Sequence, residues 1–146
     1  MSVGIYLSAD SADLCSQNGL YTKPFSASFN GKTGGIKEFK LYLRNDSLVY
    51  YYTDIVLSLD DLNVPTIVDN PLTSWKLSLG DTRPTSTEWS YISPNNTLTS
   101  PDIGESGAGD ISTFLPFWVE IKVPAGRDVS VNTNIRFKIT GEEALV

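Results

Sequence analysis

Along most of this chain apolar and polar residues alternate, and the repeat is two residues rather than the 3.6 of a helix. In IKEFKLYLRN, Phe39, Leu41 and Leu43 fall on one face while Lys40, Tyr42 and Arg44 fall on the other, the pattern of a half-buried strand. Asn45-Asp46-Ser47 then reads as a turn. The run LVYYYTDIVLSLDD places Val49, Tyr51, Thr53, Ile55, Leu57 and Leu59 on one face and Tyr50, Tyr52 and Val56 on the other. That second face is too apolar to be left wholly to water, so the pattern predicts that something covers it. Further on, FWVEIKV points Phe117, Val119, Ile121 and Val123 one way and Trp118, Glu120 and Lys122 the other. PAGR turns the chain, and Ile135, Phe137 and Ile139 resume the alternation against Arg136 and Lys138.

Shorter candidates fill the remainder. SWKLSL sets Trp75, Leu77 and Leu79 on one face, and TEWSYIS offers Trp89 and Tyr91. PTIVDNP, bounded by prolines, suits a sheet edge, because proline cannot donate to the ladder. VGIYLS and PFSASFN add two strands near the N-terminus, and the one helical candidate is a small turn around SADSADLC, which Ser and Asp could cap. Residues 93–112, SPNNTLTSPDIGESGAGDIS, have no periodicity and read as a long loop of the kind that often carries function. The pattern therefore predicts an all-β, antiparallel β-sandwich of about eight or nine short strands. It is a single domain over 1–146, with a short N-terminal strand or arm and a long loop near 93–112. Its expected core holds Phe39, Leu41, Leu43, Ile55, Leu57, Val119, Ile121, Phe137 and Ile139.

Composition adds bounds to that picture. A chain of 146 residues can bury one sizeable core without disulfides or metals, and 40% hydrophobic with 19% charged content is far from a disordered composition. The net charge of −6 argues against a nucleic-acid partner, whose affinity comes from lysine and arginine displacing counterions. Cys15 is the single cysteine, so no intramolecular disulfide is expected and folding in a reducing cytoplasm fits. The opening MSVGIYLSADSADLCSQNG has neither a basic nor an apolar leader region, and no run is long enough for a membrane-spanning helix, so no membrane partner is expected. The sequons at Asn45 and Asn95 are read as chance matches.

Candidate chemistry is sparse. Without histidine, the Ser-His-Asp and Cys-His relays, most zinc sites and the usual proton-transfer side chain are all missing. The carboxylates Asp60, Asp61, Asp69, Asp81, Asp102, Glu105 and Asp110 lie in connections, where a glycosidase pair or a calcium site is conceivable in principle. Their spacing selects no pair, and DDLN at 60–63 lacks the frame of a calcium loop, so solvated turn carboxylates are the plainer reading. FNGKTGGIKEF has its lysine before the glycine pair and a strand after it, which makes a β-turn and not a phosphate cradle. No enzymatic activity, metal or cofactor is expected.

Aromatic residues carry more. Tyr42, Tyr50, Tyr52 and Trp118 fall opposite the main apolar stripes, where they could stack on sugar rings, pack on another subunit or simply pair across strands. Packing within the sheet or between subunits is favoured, and a carbohydrate-binding module with an aromatic platform is the alternative. VGIYLS is short, apolar and uncharged, so Val3, Ile5, Tyr6 and Leu7 could add as a strand to a neighbour's sheet. These four residues and the four aromatics form the candidate interface.

LYLRNDSLVYYYTDIVLSLDD and FWVEIKVPAGRDVSVNTNIRFKITGEEA, together with the turn Leu41 to Asp46, the corner Val123-Pro124-Ala125-Gly126 and the final strand Ile135 to Thr140, resemble Ig-like β-sandwich proteins of tailed-bacteriophage virions. What the resemblance implies is an Ig-like sandwich, with a jelly-roll-like arrangement left open. It also implies a structural role in the virion after synthesis in a host cytoplasm, as a capsid decoration or cement protein, or else a tail or baseplate component. Its partners would be other virion proteins, major capsid or tail, and copies of itself. No individual functional residue carries over.

Overall fold

The computed structural model of the chain describes residues 3–9, 13–17, 27–61, 74–92, 98–99, 103, 114–126 and 135–145. They form nine strands and, among the described residues, no helix: β1 (Val3–Tyr6), β2 (Leu14–Ser16), β3 (Gly35–Asn45), β4 (Tyr50–Asp61), β5 (Ser74–Leu79), β6 (Ser90–Tyr91), β7 (Leu98–Thr99), β8 (Leu115–Val123) and β9 (Ile135–Leu145). All pairings are antiparallel, in a six-stranded sheet of order β2-β1-β3-β8-β5-β6 and a three-stranded sheet of order β7-β4-β9. The expected β-sandwich is what forms.

Two cross-sheet corners organise it. β3 and β8 pair in the large sheet, while their chain successors β4 and β9 pair in the small one. The apolar stripes of all four strands thus meet between the sheets. Leu41, Leu43, Ile55, Leu57, Val119 and Ile121 are buried as expected, and Phe39, Phe137 and Ile139 are partly buried against them. Phe137 of β9 sets its ring edge-on to Trp75 of β5 and Phe117 of β8, with centroids 6.1 and 6.0 Å away, tying one sheet to the other.

The alternation of β4 is interrupted, which overturns the predicted facing of its tyrosines. Thr53 stands opposite Glu142 of β9 and Val56 opposite Thr140, so Asp54 and Ile55 together face Gly141. This is a β-bulge, with Asp54 in the left-handed region at φ 49°, a conformation that aspartate tolerates better than most residues. A Cβ at Gly141 would lie 3.2 Å from the Thr53 carbonyl oxygen and 3.3 Å from Ile55 Cγ1, so glycine lets the bulged strand come close. The extra residue inverts the face. Ile55, Leu57 and Leu59 point inward beyond the bulge, whereas on the near side it is Tyr52, not Val49 or Tyr51, that enters the core.

Other expectations change at the ends. β1 is no free arm: β2 and β3 pair with it on either side, and Val3 to Tyr6 are all buried. An uncharged run with apolar residues on both faces is what a doubly covered strand requires. Of the predicted helical turn at SADSADLC, residues 10–12 lie outside the described residues, while Leu14 and Cys15 belong to β2, and Leu7 N donates to the Asp13 carbonyl at 2.9 Å beside it. Of PFSASFN, residues 24–26 lie outside the described residues and Ala27 to Asn30 are not strand; the described part of TEWSYIS contributes only the two residues of β6, and PTIVDNP lies outside the described residues. Most of 93–112 lies outside them as well, but Leu98-Thr99 form β7 and Ile103 bridges Tyr52, so that stretch does supply packed elements. FNGKTGG makes the expected turn, with Gly34 N donating to the Asn30 carbonyl at 2.7 Å.

Candidate functional site

The eight sequence-predicted interface residues do not come together as one surface. Val3, Ile5 and Tyr6 are buried in β1, and Leu7 packs partly buried against the core. Tyr52 is 0% exposed, its hydroxyl donating to Glu143 Oε1 at 2.8 Å and its backbone bridged to Ile103. These residues are occupied within their own chain because β1 is internal and the bulge turns Tyr52 inward.

Tyr42 and Trp118 do stand on the outer face of the large sheet, half-buried, but other parts of the chain lie over them. Phe114 meets Tyr6 and Tyr42 edge-on at 5.4 and 6.0 Å, and the guanidinium of Arg44 lies 5.0 Å from the centre of its ring. Arg44 is itself buried, contrary to its predicted solvent face, with Nε 3.1 Å from Asp46 Oδ1 at ion-pair distance but without the alignment of a hydrogen bond. Between β5 and β6 the chain folds back over this face. Asp81 pairs with Lys40 and accepts from Trp118 Nε1 through its carbonyl at 3.3 Å, while Arg83 grips Glu38 through two bonds of 2.6 and 2.8 Å. This face is covered much as a small second core is.

Of the predicted residues only Tyr50 belongs to an apolar surface left open. It sits where the β3–β4 turn meets the end of β9. Leu48 is 62% exposed, Val49 58% and Leu145 70%, and Tyr50 and Tyr51 stand exposed beside them, opposite Leu145 and Ala144 in the strand register. Comparison with protein-family models, curated proteins and solved structures returned no match for this chain. The site therefore has to be understood from its own construction.

That construction is rigid. Asn45 is fully buried, and its amide donates to the Tyr50 carbonyl at 2.8 Å while its Oδ1 accepts from Ser47 N at 2.8 Å. Ser47 Oγ in turn accepts from Val49 N at 3.2 Å and Tyr50 N at 2.9 Å. Asp46 is held by the Tyr6 hydroxyl, by Gln17 Nε2 at 3.3 Å and by Arg44. Burial, and then the bond to Asp46, push the Tyr6 phenol above its ordinary pKa, which keeps it a donor. The side chains of Asn45 and Ser47 thus satisfy the turn from beneath and leave Leu48 and Val49 projecting into water. A pre-ordered apolar tip loses little entropy when a partner covers it. The same burial occupies the Asn45 amide, so its sequon is structural.

The pattern did contain a signal for this site: two apolar residues directly after a turn are out of place unless something meets them. Assigning Val49 and Tyr51 to the core stripe obscured it. Among the described residues no group of three or more Asp, Glu or Cys side chains could hold a metal ion, and no helix is long and apolar enough to cross a membrane. Cys15 is buried and forms no disulfide.

Proposed function

We propose that this chain is a non-enzymatic structural protein of a tailed-phage virion that acts through protein–protein contacts, as a capsid decoration or cement protein, or else as a tail or baseplate component. The observation that carries the contact role is the tip formed by Leu48, Val49, Tyr50, Tyr51 and Leu145, apolar, exposed and fixed by buried polar side chains. Soluble proteins seldom leave such residues clustered in water, and tyrosine is among the favoured anchors of interfaces. The virion assignment rests on the resemblance of the β3–β4 and β8–β9 segments. The sugar-platform alternative has less support, because Tyr52 is buried and Trp118 is engaged by Asp81 and Lys40.

Co-sedimentation of the purified chain with emptied heads and with tails of a phage encoding it tests the proposal. Val49→Ser combined with Tyr51→Ser is expected to weaken attachment by about tenfold or more, with the melting temperature unchanged. Absence of affinity for either particle, together with oligosaccharide binding lost in Trp118→Ala, would replace this function with the carbohydrate-binding one.

A further inference from the structure

Among the described residues, three of the four sheet edges are blunt. β2 has three residues, and β6 and β7 have two each. Short edge strands are a common defence against pairing with another chain. β9, the fourth edge, runs for eleven residues, and among the described residues only β4 pairs with it. Phe137 and Ile139 pack on the core from this strand yet remain partly exposed. A further strand along the edge would cover them.

The charges along β9 identify that strand. On its outward face Lys138, Thr140 and Glu142 are all exposed, basic toward one end and acidic toward the other. We propose that the occupant of this edge is β9 of a second copy, antiparallel about a two-fold axis at Thr140. This deepens the proposed function by naming one of its contacts. In that register Thr140 meets Thr140, and on each side Lys138 of one copy stands opposite Glu142 of the other. Threonine pairs and opposite-charge pairs are favourable cross-strand neighbours. A two-fold interface is self-complementary by construction, so a strand with a basic half and an acidic half satisfies itself only when it runs antiparallel. Gly141 falls opposite Ile139 of the second copy, where a larger residue would crowd it. The two small sheets become one continuous six-stranded sheet, with main-chain hydrogen bonds supplying affinity and the charges fixing register.

Sedimentation velocity of the full chain from micromolar to millimolar concentration tests this. A concentration-dependent dimer is expected. Lys138→Glu and Glu142→Lys should each weaken it by about tenfold, since each puts two like-charge pairs across the axis, and the double variant carrying both reversals should restore it. Thr140→Cys should cross-link as a dimer on oxidation, while the wild-type chain, whose Cys15 is buried, should not. Melting curves of each variant show that the fold is kept. A chain monomeric throughout, or a dimer indifferent to the single reversals or not restored by the double one, overturns the inference. If the chain stays monomeric but co-sediments with particles through Val49 and Tyr51, the dimer fails and the proposed function stands. Charge-swap rescue without particle affinity gives the opposite result.

Discussion

The outer face of the large sheet and the tip of the small sheet both carry aromatic residues outside the main core, yet the chain treats them differently. Over the large sheet it supplies its own cover: Phe114 inserts between Tyr6 and Tyr42, and Asp81 and Arg83 reach back to Lys40, Trp118 and Glu38. At the tip the polar side chains lie beneath the turn, and Leu48, Val49 and Tyr51 are presented outward. Aromatic content alone does not mark a contact surface. What marks it is where the hydrogen-bonding groups that satisfy the local backbone are placed.

The contrast is broken most severely at Phe114. Phe114→Ala removes a buried ring from under Arg44, and a loss of about 3 kcal/mol in denaturant unfolding is expected from the cavity left behind. A loss below about 0.5 kcal/mol would mean that the covered face is no second core. Next is Asp54, which decides which tyrosine belongs to which region. A β-branched residue at its positive φ is strained, so Asp54→Val should cost about 1–2 kcal/mol, whereas Asp54→Gly should be close to neutral. Equal effects of the two would count against a left-handed bulge.

A smaller, pH-gated effect separates the regions further. The Tyr6 phenol is raised above its ordinary value in the folded chain, by burial first and by the bond to Asp46 second. As pH rises past about 10 the unfolded chain loses this proton before the folded one does, so the stability it contributes is present below that pH and is lost through the folded value. Lys40, raised chiefly by its bond to Asp81, acts with the same sign from an exposed position. Urea melts at increasing alkaline pH should show falling stability, and Tyr6→Phe should flatten the fall. An unchanged slope in Tyr6→Phe would remove Tyr6 from that account.

The smallest expected effects on stability are at the surface. Asp81→Ala breaks an exposed ion pair and should change unfolding free energy by no more than about 0.5 kcal/mol. Tyr51→Ser should be as mild, while being the change that lowers partner binding. A large stability loss from Tyr51→Ser would place that ring in the core after all.

Period-two alternation in β3, β4, β8 and β9 was enough to determine the class of fold and most of its core, because an inward side chain on a sandwich strand must be apolar whatever lies opposite it. SWKLSL even coincides with β5 from end to end. Tertiary structure alone decided three things. The bulge at Asp54 depends on Gly141, far away in sequence, and it exchanges the roles of Tyr51 and Tyr52. VGIYLS could have been an arm or a central strand, and only its neighbours β2 and β3 settle that it is internal. Tyr42 and Trp118 could have faced solvent, and their cover comes from residues that local pattern does not connect with them. Alternation is a property of one strand, whereas coverage is a property of what packs on it, and a single sequence expresses the first directly and the second only through the folded chain.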